Sequence, residues 1–239
     1  MRRPSIPSPL TVLLALALAA SGALAAEGPS AGAGPGFLFS TLPAAETALG
    51  ASWARLRGEA EQRFPTLAFT RVEDLHLTLV YVGAWRHEEL DRLRGLTRLV
   101  PGEPALLTPS VATLGQDRHV VAIDLGGAAA GWAEAVVAAK AELVRLGLKA
   151  PDRYDATFRP HVTLAAARHR PPTEADRRAL DAFAAWLEER VAADPAAFTV
   201  AVGPGSPVRL WVAGAPRPPG APAYVAVEEL AAPPDEIRR

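Results

Sequence analysis

Two short stretches of this chain carry the residue types that proton transfer requires. The first contains His76 and Thr78, the second contains His161 and Thr163, and in each the threonine is followed by leucine. An imidazole near neutral pH serves either as a proton acceptor or as a proton donor, and a hydroxyl donates hydrogen bonds. A single histidine in an apolar strand is usually structural. The repetition, at a separation of 85 residues, is what indicates a site.

Both stretches lie inside runs that have the period of a β-strand, Asp74–Val82 and Arg159–Ala165. Side chains alternate between the two faces of a strand, so each histidine and its threonine share one face while the intervening apolar residues face the other. The sequence therefore predicts two strands that each present an apolar row to a core. If the two polar rows face each other across a groove, they form a site of approximate twofold symmetry with two imidazoles and two hydroxyls.

The composition is that of a folded protein and excludes several classes of function. The chain has 239 residues, of which 49% are hydrophobic and 21% are charged, which suits one large domain or two small lobes. The absence of cysteine excludes thiol catalysis, cysteine-ligated zinc and disulfides. The net charge is −1 and no basic block is present, so an extended surface for duplex nucleic acid is not expected. A nucleic-acid substrate would be a terminus or a small fragment.

The N-terminus has the pattern of a secretory signal peptide. Arg2 and Arg3 precede an apolar run over Leu10–Ala20, and Ala23-Leu24-Ala25 offers small residues for cleavage. The apolar run is too short for a transmembrane helix, and no cysteine is available for a lipid anchor. We expect export to the periplasm or beyond, the alternative being a start codon assigned too far upstream. The chain then divides into a signal peptide (1–25), a linker (26–36), one domain (37–230) and a polar tail (231–239).

Strands and helices interleave irregularly along that domain. Helices are predicted at Glu46–Phe64, Glu88–Val100, Gly131–Leu146 and Glu174–Val191. Besides the two motif strands, strands are predicted at Phe37–Ser40, Ala105–Leu114, His119–Leu125, Phe198–Val202, Val208–Ala213 and Tyr224–Leu230. No glycine-rich phosphate loop follows a strand, which excludes dinucleotide-binding and P-loop folds. The pattern favours an α+β architecture of two sheet-and-helix lobes.

The two motifs resemble those of the two-histidine (2H) phosphoesterases. Val72–Gly83 is similar to the first motif of the bacterial branch named for RNA 2′-5′ ligase and 2′,3′-cyclic phosphodiesterase activity, and Phe158–Leu164 is similar to the second. Tyr224–Val227, followed by Leu230, resembles the closing strand of that family. The likeness spans residues 37–230 but is specific at the two motifs. The family often has an arginine soon after the second motif, where Ala165-Ala166-Ala167 stand here, so Arg168 is given no phosphate role.

The resemblance implies a fold and a chemistry. The fold is α+β and two-lobed, with two mainly antiparallel sheets flanked by helices around a central groove. The chemistry is metal-independent opening of 2′,3′-cyclic phosphates by His76 and His161 as acid and base, with Thr78 and Thr163 donating hydrogen bonds to phosphate oxygens. Which histidine is the acid does not follow from the residues. The resemblance implies that His161 is the base and His76 the acid.

Other residues receive weaker roles. Arg159 precedes the second motif and is a candidate phosphate ligand, the alternative being a solvated charge at a strand edge. Phe39 or Tyr154 is a candidate for stacking on a base. Tyr81, five residues after His76, is expected on the opposite strand face in the core. The remaining histidines are interpreted as surface residues, namely His87, His119 and His169.

The expected partners are few. No cofactor is predicted, and no metal, since neither motif contains an adjacent acidic ligand. The substrate is expected to be a small cyclic phosphate or an RNA terminus, and the chain to be a monomer without a stable membrane anchor. Three alternatives stay open: a catalytically silent nucleotide- or phosphate-binding protein of the same fold, an RNA 2′-5′ ligase, and a histidine-ligated metallohydrolase that EDTA would inhibit. The natural substrate, the base preference and the product isomer (2′- or 3′-phosphate) also stay open.

Overall fold

The structure, a computed structural model, describes residues 36–115, 117–215 and 221–229. The predicted signal peptide, the tail and all but the last residue of the predicted linker lie outside these ranges and stay predictions. Leu230 of the predicted closing strand also lies outside them. Within the described ranges, no helix has both the length and the apolar character that a membrane crossing requires.

The described residues form a mixed α+β structure. Its strands are β1 (Phe37–Pro43), β2 (Leu67–Phe69), β3 (His76–Gly83), β4 (Ala105–Leu114), β5 (Val120–Gly126), β6 (His161–Ala167), β7 (Val200–Val202), β8 (Arg209–Ala213) and β9 (Tyr224–Ala226). Its α-helices are α1 (Ala48–Arg63), α2 (Leu90–Leu93), α3 (Ala130–Arg145) and α4 (Glu174–Ala193). Helix α4 begins where the sequence predicts because Thr173 and Asp176 form a capping box, each accepting the other's backbone N–H.

The strands pair antiparallel in the order β7-β4-β5-β6-β3-β1-β8-β9, and β2 pairs with β6 outside this path. Two four-stranded halves, β7-β4-β5-β6 and β3-β1-β8-β9, therefore meet where the motif strands β3 and β6 lie side by side. The single residue pair that joins them is Leu77 with Val162. The predicted α+β class is confirmed, and the two predicted sheets are the halves of one continuous antiparallel sheet that join at the two motifs.

A continuous apolar layer lies against one face of this sheet. The apolar residues of the motif strands face it, and Leu77, Val162 and Leu164 are completely buried. Helix α4 packs against β4, β5 and β6, and α3 packs against β3. These helices cover the apolar face and leave the His/Thr face of the motif strands outside the core.

The helix predicted over Glu88–Val100 is broken into short pieces. A 3₁₀ turn at His87–Glu89 leads into α2, and a second 3₁₀ segment follows at Arg94–Arg98. Leu90, Leu93 and Leu96 are spaced by three residues, which places them on one face of a helix with three residues per turn. The tighter winding thus aligns Leu93 and Leu96 towards the core, where both are buried.

The interpretation of His119 as a surface residue is wrong, because its side chain is only 3% exposed. The β4–β5 turn passes through Gly115 at φ +88°, and a Cβ atom there would lie 2.1 Å from the imidazole. The ring therefore occupies the space that a glycine leaves open. The His119 backbone carbonyl accepts the Ala167 N–H at 2.8 Å, which ties this turn to the end of β6.

Burial of His119 predicts acid sensitivity of the fold. Desolvation, assisted by the charge of Arg170, lowers the pKa of His119 to about 4, against about 6.5 in an unfolded chain. As the pH falls from 7 to 5 the unfolded chain binds a proton that the folded chain does not, so folding stability falls. We expect this loss to be smaller in His119→Gln than in wild type by about 2 kcal/mol, measured by urea unfolding at both pH values. His87→Gln is the control, and equal pH dependence in wild type and His119→Gln would contradict the prediction.

Candidate active site

The pairing of β3 with β6 brings the two motifs together on one face of the sheet. Leu77 pairs with Val162 in an antiparallel register. Extending that register by one residue in each direction places each histidine opposite the threonine of the other motif: His76 opposite Thr163, and Thr78 opposite His161. Directly opposite Cβ atoms lie about 5 Å apart and diagonal ones about 7 Å. The two imidazoles therefore occupy one diagonal of a small quadrilateral, and the two hydroxyls occupy the other.

Each motif strand has a bulge at the leucine that follows its threonine. Strand β1 pairs with the residues on either side of Leu79 and passes over Leu79 itself. Strand β5 does the same at Leu164. The extra residue allows two consecutive side chains to enter the core, so Leu79 and Val80 are both buried, as are Leu164 and Ala165. The approximate twofold symmetry of the motifs thus extends to the strand geometry.

The bulge at Leu79 corrects the prediction for Tyr81. After the bulge, the side chains that would face the core in a regular strand face the opposite side. Tyr81 therefore lies on the same face as Thr78, where it pairs with Phe39. Tyr81 is partly exposed on the side of the two histidines, although a regular strand would turn it into the core. Desolvation, followed by the nearby charge of Asp152, raises the pKa of Tyr81 to about 12. Its hydroxyl is therefore a neutral hydrogen-bond donor at physiological pH.

Both catalytic candidates are oriented by the same local contact. The Nδ1 of His76 lies 2.8 Å from the carbonyl oxygen of Asp74. The Nδ1 of His161 lies 2.9 Å from the carbonyl oxygen of Arg159. A carbonyl oxygen only accepts hydrogen bonds, so Nδ1 carries the hydrogen in each ring. In each neutral imidazole Nε2 is then the atom that can take up a proton.

Aromatic rings surround His76. Its ring centroid lies 5.3 Å from that of Phe39, 5.4 Å from that of Trp211 and 4.8 Å from that of Tyr224. The Trp211 and Tyr224 rings stack on each other with an interplanar angle of 14°. Desolvation in this environment lowers the pKa of His76 to about 4, and the proximity of His161 acts in the same direction.

No motif in the sequence points to Trp211, and Tyr224 is predicted only as part of the closing strand. Both residues lie on strands that the sequence predicts, β8 and β9. No local sequence pattern predicts that β8 pairs with β1 and that β9 pairs with β8. The antiparallel pairing of β1 with β8 and of β8 with β9 brings their aromatic side chains to His76.

A charged pair lies beside His161. Asp124 is its direct neighbour on β5. The Arg159 guanidinium binds the Asp124 carboxylate through two parallel bonds, Nε to Oδ1 at 2.8 Å and Nη2 to Oδ2 at 2.9 Å. Desolvation lowers the pKa of His161, whereas the Asp124 charge acts in the opposite direction. Arg159 thus lies next to the site with 58% of its side chain exposed, and its role as a phosphate ligand stays a prediction.

The two aromatic residues suggested for base stacking lie in different surroundings. Phe39 is only 4% exposed, since its ring is covered by Trp211 and Tyr224. Tyr154 is 48% exposed, and the Arg153 guanidinium lies 4.8 Å from its ring centroid. Neither arrangement tests the stacking prediction directly.

The site contains what acid–base chemistry on a small tetrahedral group needs. Two imidazoles, each with its Nδ1–H bound to a backbone carbonyl, lie on one face of the β3–β6 junction, and the threonine of each motif lies on the same face. Among the described residues, no group of three or more histidine, cysteine, aspartate or glutamate side chains is arranged to hold a metal ion.

Comparisons with known proteins identify the fold. No protein-family model matches the sequence, and no curated protein matches it. A crystal structure of a phosphoesterase superposes with a TM-score of 0.50 at 18% identity, over 81% of this chain and 96% of that one. E. coli LigT complexed with 3′-AMP gives 0.49 at 16% identity, over 81% and 95%, and TT0787 of Thermus thermophilus gives 0.48 at 17% identity, over 80% and 94%. The chain thus has the phosphoesterase-like fold that its motifs implied.

The aromatic surroundings of His76 predict a titration that NMR can measure. We expect the His76 imidazole to titrate near pH 4 in wild type, because solvent is kept from its charged form. Replacing the stacked cover by Trp211→Leu admits water and moves the midpoint towards the 6.5 of a free histidine. Ring C–H chemical shifts followed against pH measure both values. Tyr154→Leu, which removes an exposed ring elsewhere, is the control, and a His76 midpoint near 6.5 in wild type would overturn the prediction.

Proposed function

We propose that this chain is a metal-independent phosphodiesterase that opens the 2′,3′-cyclic phosphates of nucleotides or RNA ends by acid–base catalysis. The observation that carries the proposal is the pairing of β3 with β6, which brings His76 and His161 close together on one face of the sheet, each with its Nδ1–H bound to a backbone carbonyl. The fold, shared with a solved phosphoesterase, is consistent with it. The resemblance of the motifs to those of two-histidine phosphoesterases supplies the substrate class.

The reaction is an in-line displacement by water at phosphorus. One neutral imidazole accepts a proton from water at Nε2 while the water oxygen bonds to phosphorus. On the opposite side the bond from phosphorus to a ribose oxygen breaks, and the second imidazole, protonated at Nε2, donates its proton to that oxygen. The product is a phosphomonoester with one free ribose hydroxyl. Each proton transfer contributes typically 10²–10⁴-fold to the rate.

The threonines stabilise the charge that builds on the phosphoryl oxygens. Thr78 and Thr163 occupy the second diagonal of the site, so a group held between the imidazoles is within reach of both hydroxyls. Donors that are already in place when charge develops lower the barrier without a cost of reorganisation. In this proposal each hydroxyl donates to one non-bridging oxygen.

The surroundings of the two histidines favour one assignment of their roles. His76 is enclosed by aromatic rings that disfavour its imidazolium form, which suits it to be the base. His161 is also desolvated, but it has the Asp124 carboxylate as its direct strand neighbour, and that charge favours the imidazolium against the smaller opposing effect of the Arg159 charge. We therefore assign His76 as base and His161 as acid, the reverse of the assignment that the motif resemblance implies.

Activity on 2′,3′-cyclic AMP tests the proposal. We expect turnover by wild type in the presence of EDTA, and a loss of at least about 10²-fold in kcat/KM for His76→Ala and for His161→Ala, because each removes one proton transfer. Thr78→Val and Thr163→Val remove one hydrogen bond each and should lose roughly 10²- to 10³-fold. Hydrolysis is followed by chromatography of the product, with His87→Ala as the control. Full activity of either catalytic variant, or inhibition by EDTA, would refute the mechanism.

The assignment of acid and base has its own test. A nitrophenyl phosphodiester releases a stable anion that needs no proton from the enzyme, so loss of the acid costs little on that substrate. We expect His161→Ala to lose far less activity on bis(4-nitrophenyl) phosphate than on 2′,3′-cyclic AMP, whereas His76→Ala loses activity on both. Release of nitrophenolate measures the rate. The opposite pattern would return the acid role to His76.

A further inference from the structure

The residue two positions before each motif histidine makes two kinds of contact. Its backbone carbonyl binds the imidazole, and its side chain binds another part of the sheet. Asp74 is 3% exposed, and its backbone carbonyl accepts the Nδ1–H of His76. Its carboxylate faces the other way and accepts the Ala223 backbone N–H at 2.6 Å and the backbone N–H of Tyr224. One residue therefore joins the catalytic ring to the start of β9, the strand that carries the aromatic cover.

Arg159 occupies the equivalent position in the second motif. Its backbone carbonyl accepts the Nδ1–H of His161. Its guanidinium is held by the two parallel bonds to Asp124 on β5, the strand next to the motif strand. In both motifs a backbone carbonyl binds the Nδ1–H of the imidazole. The side chain of the residue that supplies this carbonyl makes a different contact in each motif.

We propose that Asp74 and Arg159 are a matched pair of positioning residues, each of which fixes the orientation and tautomer of its histidine by anchoring its own carbonyl to a neighbouring strand. The proposal rests on the function proposed above for His76 and His161. It also gives Arg159 a role that differs from direct phosphate binding, since its guanidinium acts through Asp124.

The physical reason lies in the geometry of the carbonyl. The direction of a carbonyl depends on the backbone dihedral angles of its own residue, and both carbonyls lie two residues before the first residue of a motif strand. The intervening residues are bonded to neighbouring strands, since the Leu75 carbonyl accepts the Ala44 N–H and the Pro160 carbonyl accepts the Leu125 N–H. A side chain bonded to a second element adds a restraint at the carbonyl that binds the imidazole. Partners that orient a functional histidine in this way typically change activity by roughly 10- to 100-fold when removed. A histidine released from its carbonyl would distribute its proton between Nδ1 and Nε2, and the Nε2-protonated form cannot act as a base.

The test reads the tautomers directly and needs no catalytic activity. Long-range ¹H–¹⁵N NMR distinguishes Nδ1–H from Nε2–H imidazoles. In wild type at pH 8 we expect both His76 and His161 as Nδ1–H forms. Asp74→Ala should give a mixture of tautomers at His76 and leave His161 unchanged, whereas Arg159→Met should do the reverse. Each variant is the matched control for the other. Unchanged tautomers in both variants, or equal changes at both histidines in both variants, would overturn the proposal.

Conservative variants keep the proposal testable if a truncation unfolds the chain. Asp74→Asn retains one acceptor oxygen, and Asp124→Asn retains the size of the partner of Arg159. Each Asn variant keeps one acceptor oxygen, so Asp74→Asn should show a partial version of the change at His76, and Asp124→Asn a partial version of the change that Arg159→Met causes at His161. A wild-type spectrum in either Asn variant, with the fold intact by circular dichroism, would contradict the role of that side chain.

Kinetics then separate positioning from phosphate binding at Arg159. If Arg159 acts through Asp124, Arg159→Met, Asp124→Asn and the double variant should each lower kcat on 2′,3′-cyclic AMP by roughly 10-fold, with little change in KM and no additivity. If Arg159 binds phosphate, Arg159→Met raises KM and Asp124→Asn does not, which overturns the positioning role. Tautomers that respond as expected in a chain without hydrolytic activity would refute the proposed function and leave the positioning intact.

Discussion

The pairing of Leu77 with Val162 is the contact on which the site depends. It joins two four-stranded halves, and both residues are completely buried. Because side chains alternate across a strand, burial of this pair turns the histidine and threonine of both motifs towards the opposite face. A shift of one motif strand by one residue would bury its histidine and threonine and expose its apolar side chains, at a large cost in free energy. The hydrophobic layer therefore selects the register that assembles the site.

The two halves share a local geometry and differ in their electrostatics. Each has a bulge after its motif and a carbonyl that holds its imidazole, which are properties of the motif strand itself. The neighbouring strands then supply different partners. Trp211 and Tyr224 exclude water from His76, whereas Asp124 places a negative charge beside His161. The two identical residues thus lie in different environments, among aromatic rings for His76 and beside an ion pair for His161.

Rigidity of the site comes from contacts outside the motifs. Asp74 ties the entry to β3 to the start of β9, and the Arg159–Asp124 pair ties the entry to β6 to β5. His119, buried over Gly115, holds the β4–β5 turn against the end of β6. Each of these contacts links a motif strand to an adjacent element, so the site is held from both sides of the sheet junction.

The sequence by itself determined the motif strands and the α+β class, because these follow from alternation and the likeness of two motifs, and it predicts the four polar residues of the candidate site. It also placed the start of α4, because a capping box is a local signal. Tertiary structure alone decided what depends on neighbours far away in the chain. The phase of Tyr81 follows from a bulge opposite β1, and the burial of His119 follows from a turn through Gly115. The aromatic cover of His76 and the partner of Arg159 follow from which strands lie side by side. Those pairings are set by long-range packing, which no local pattern of residues encodes.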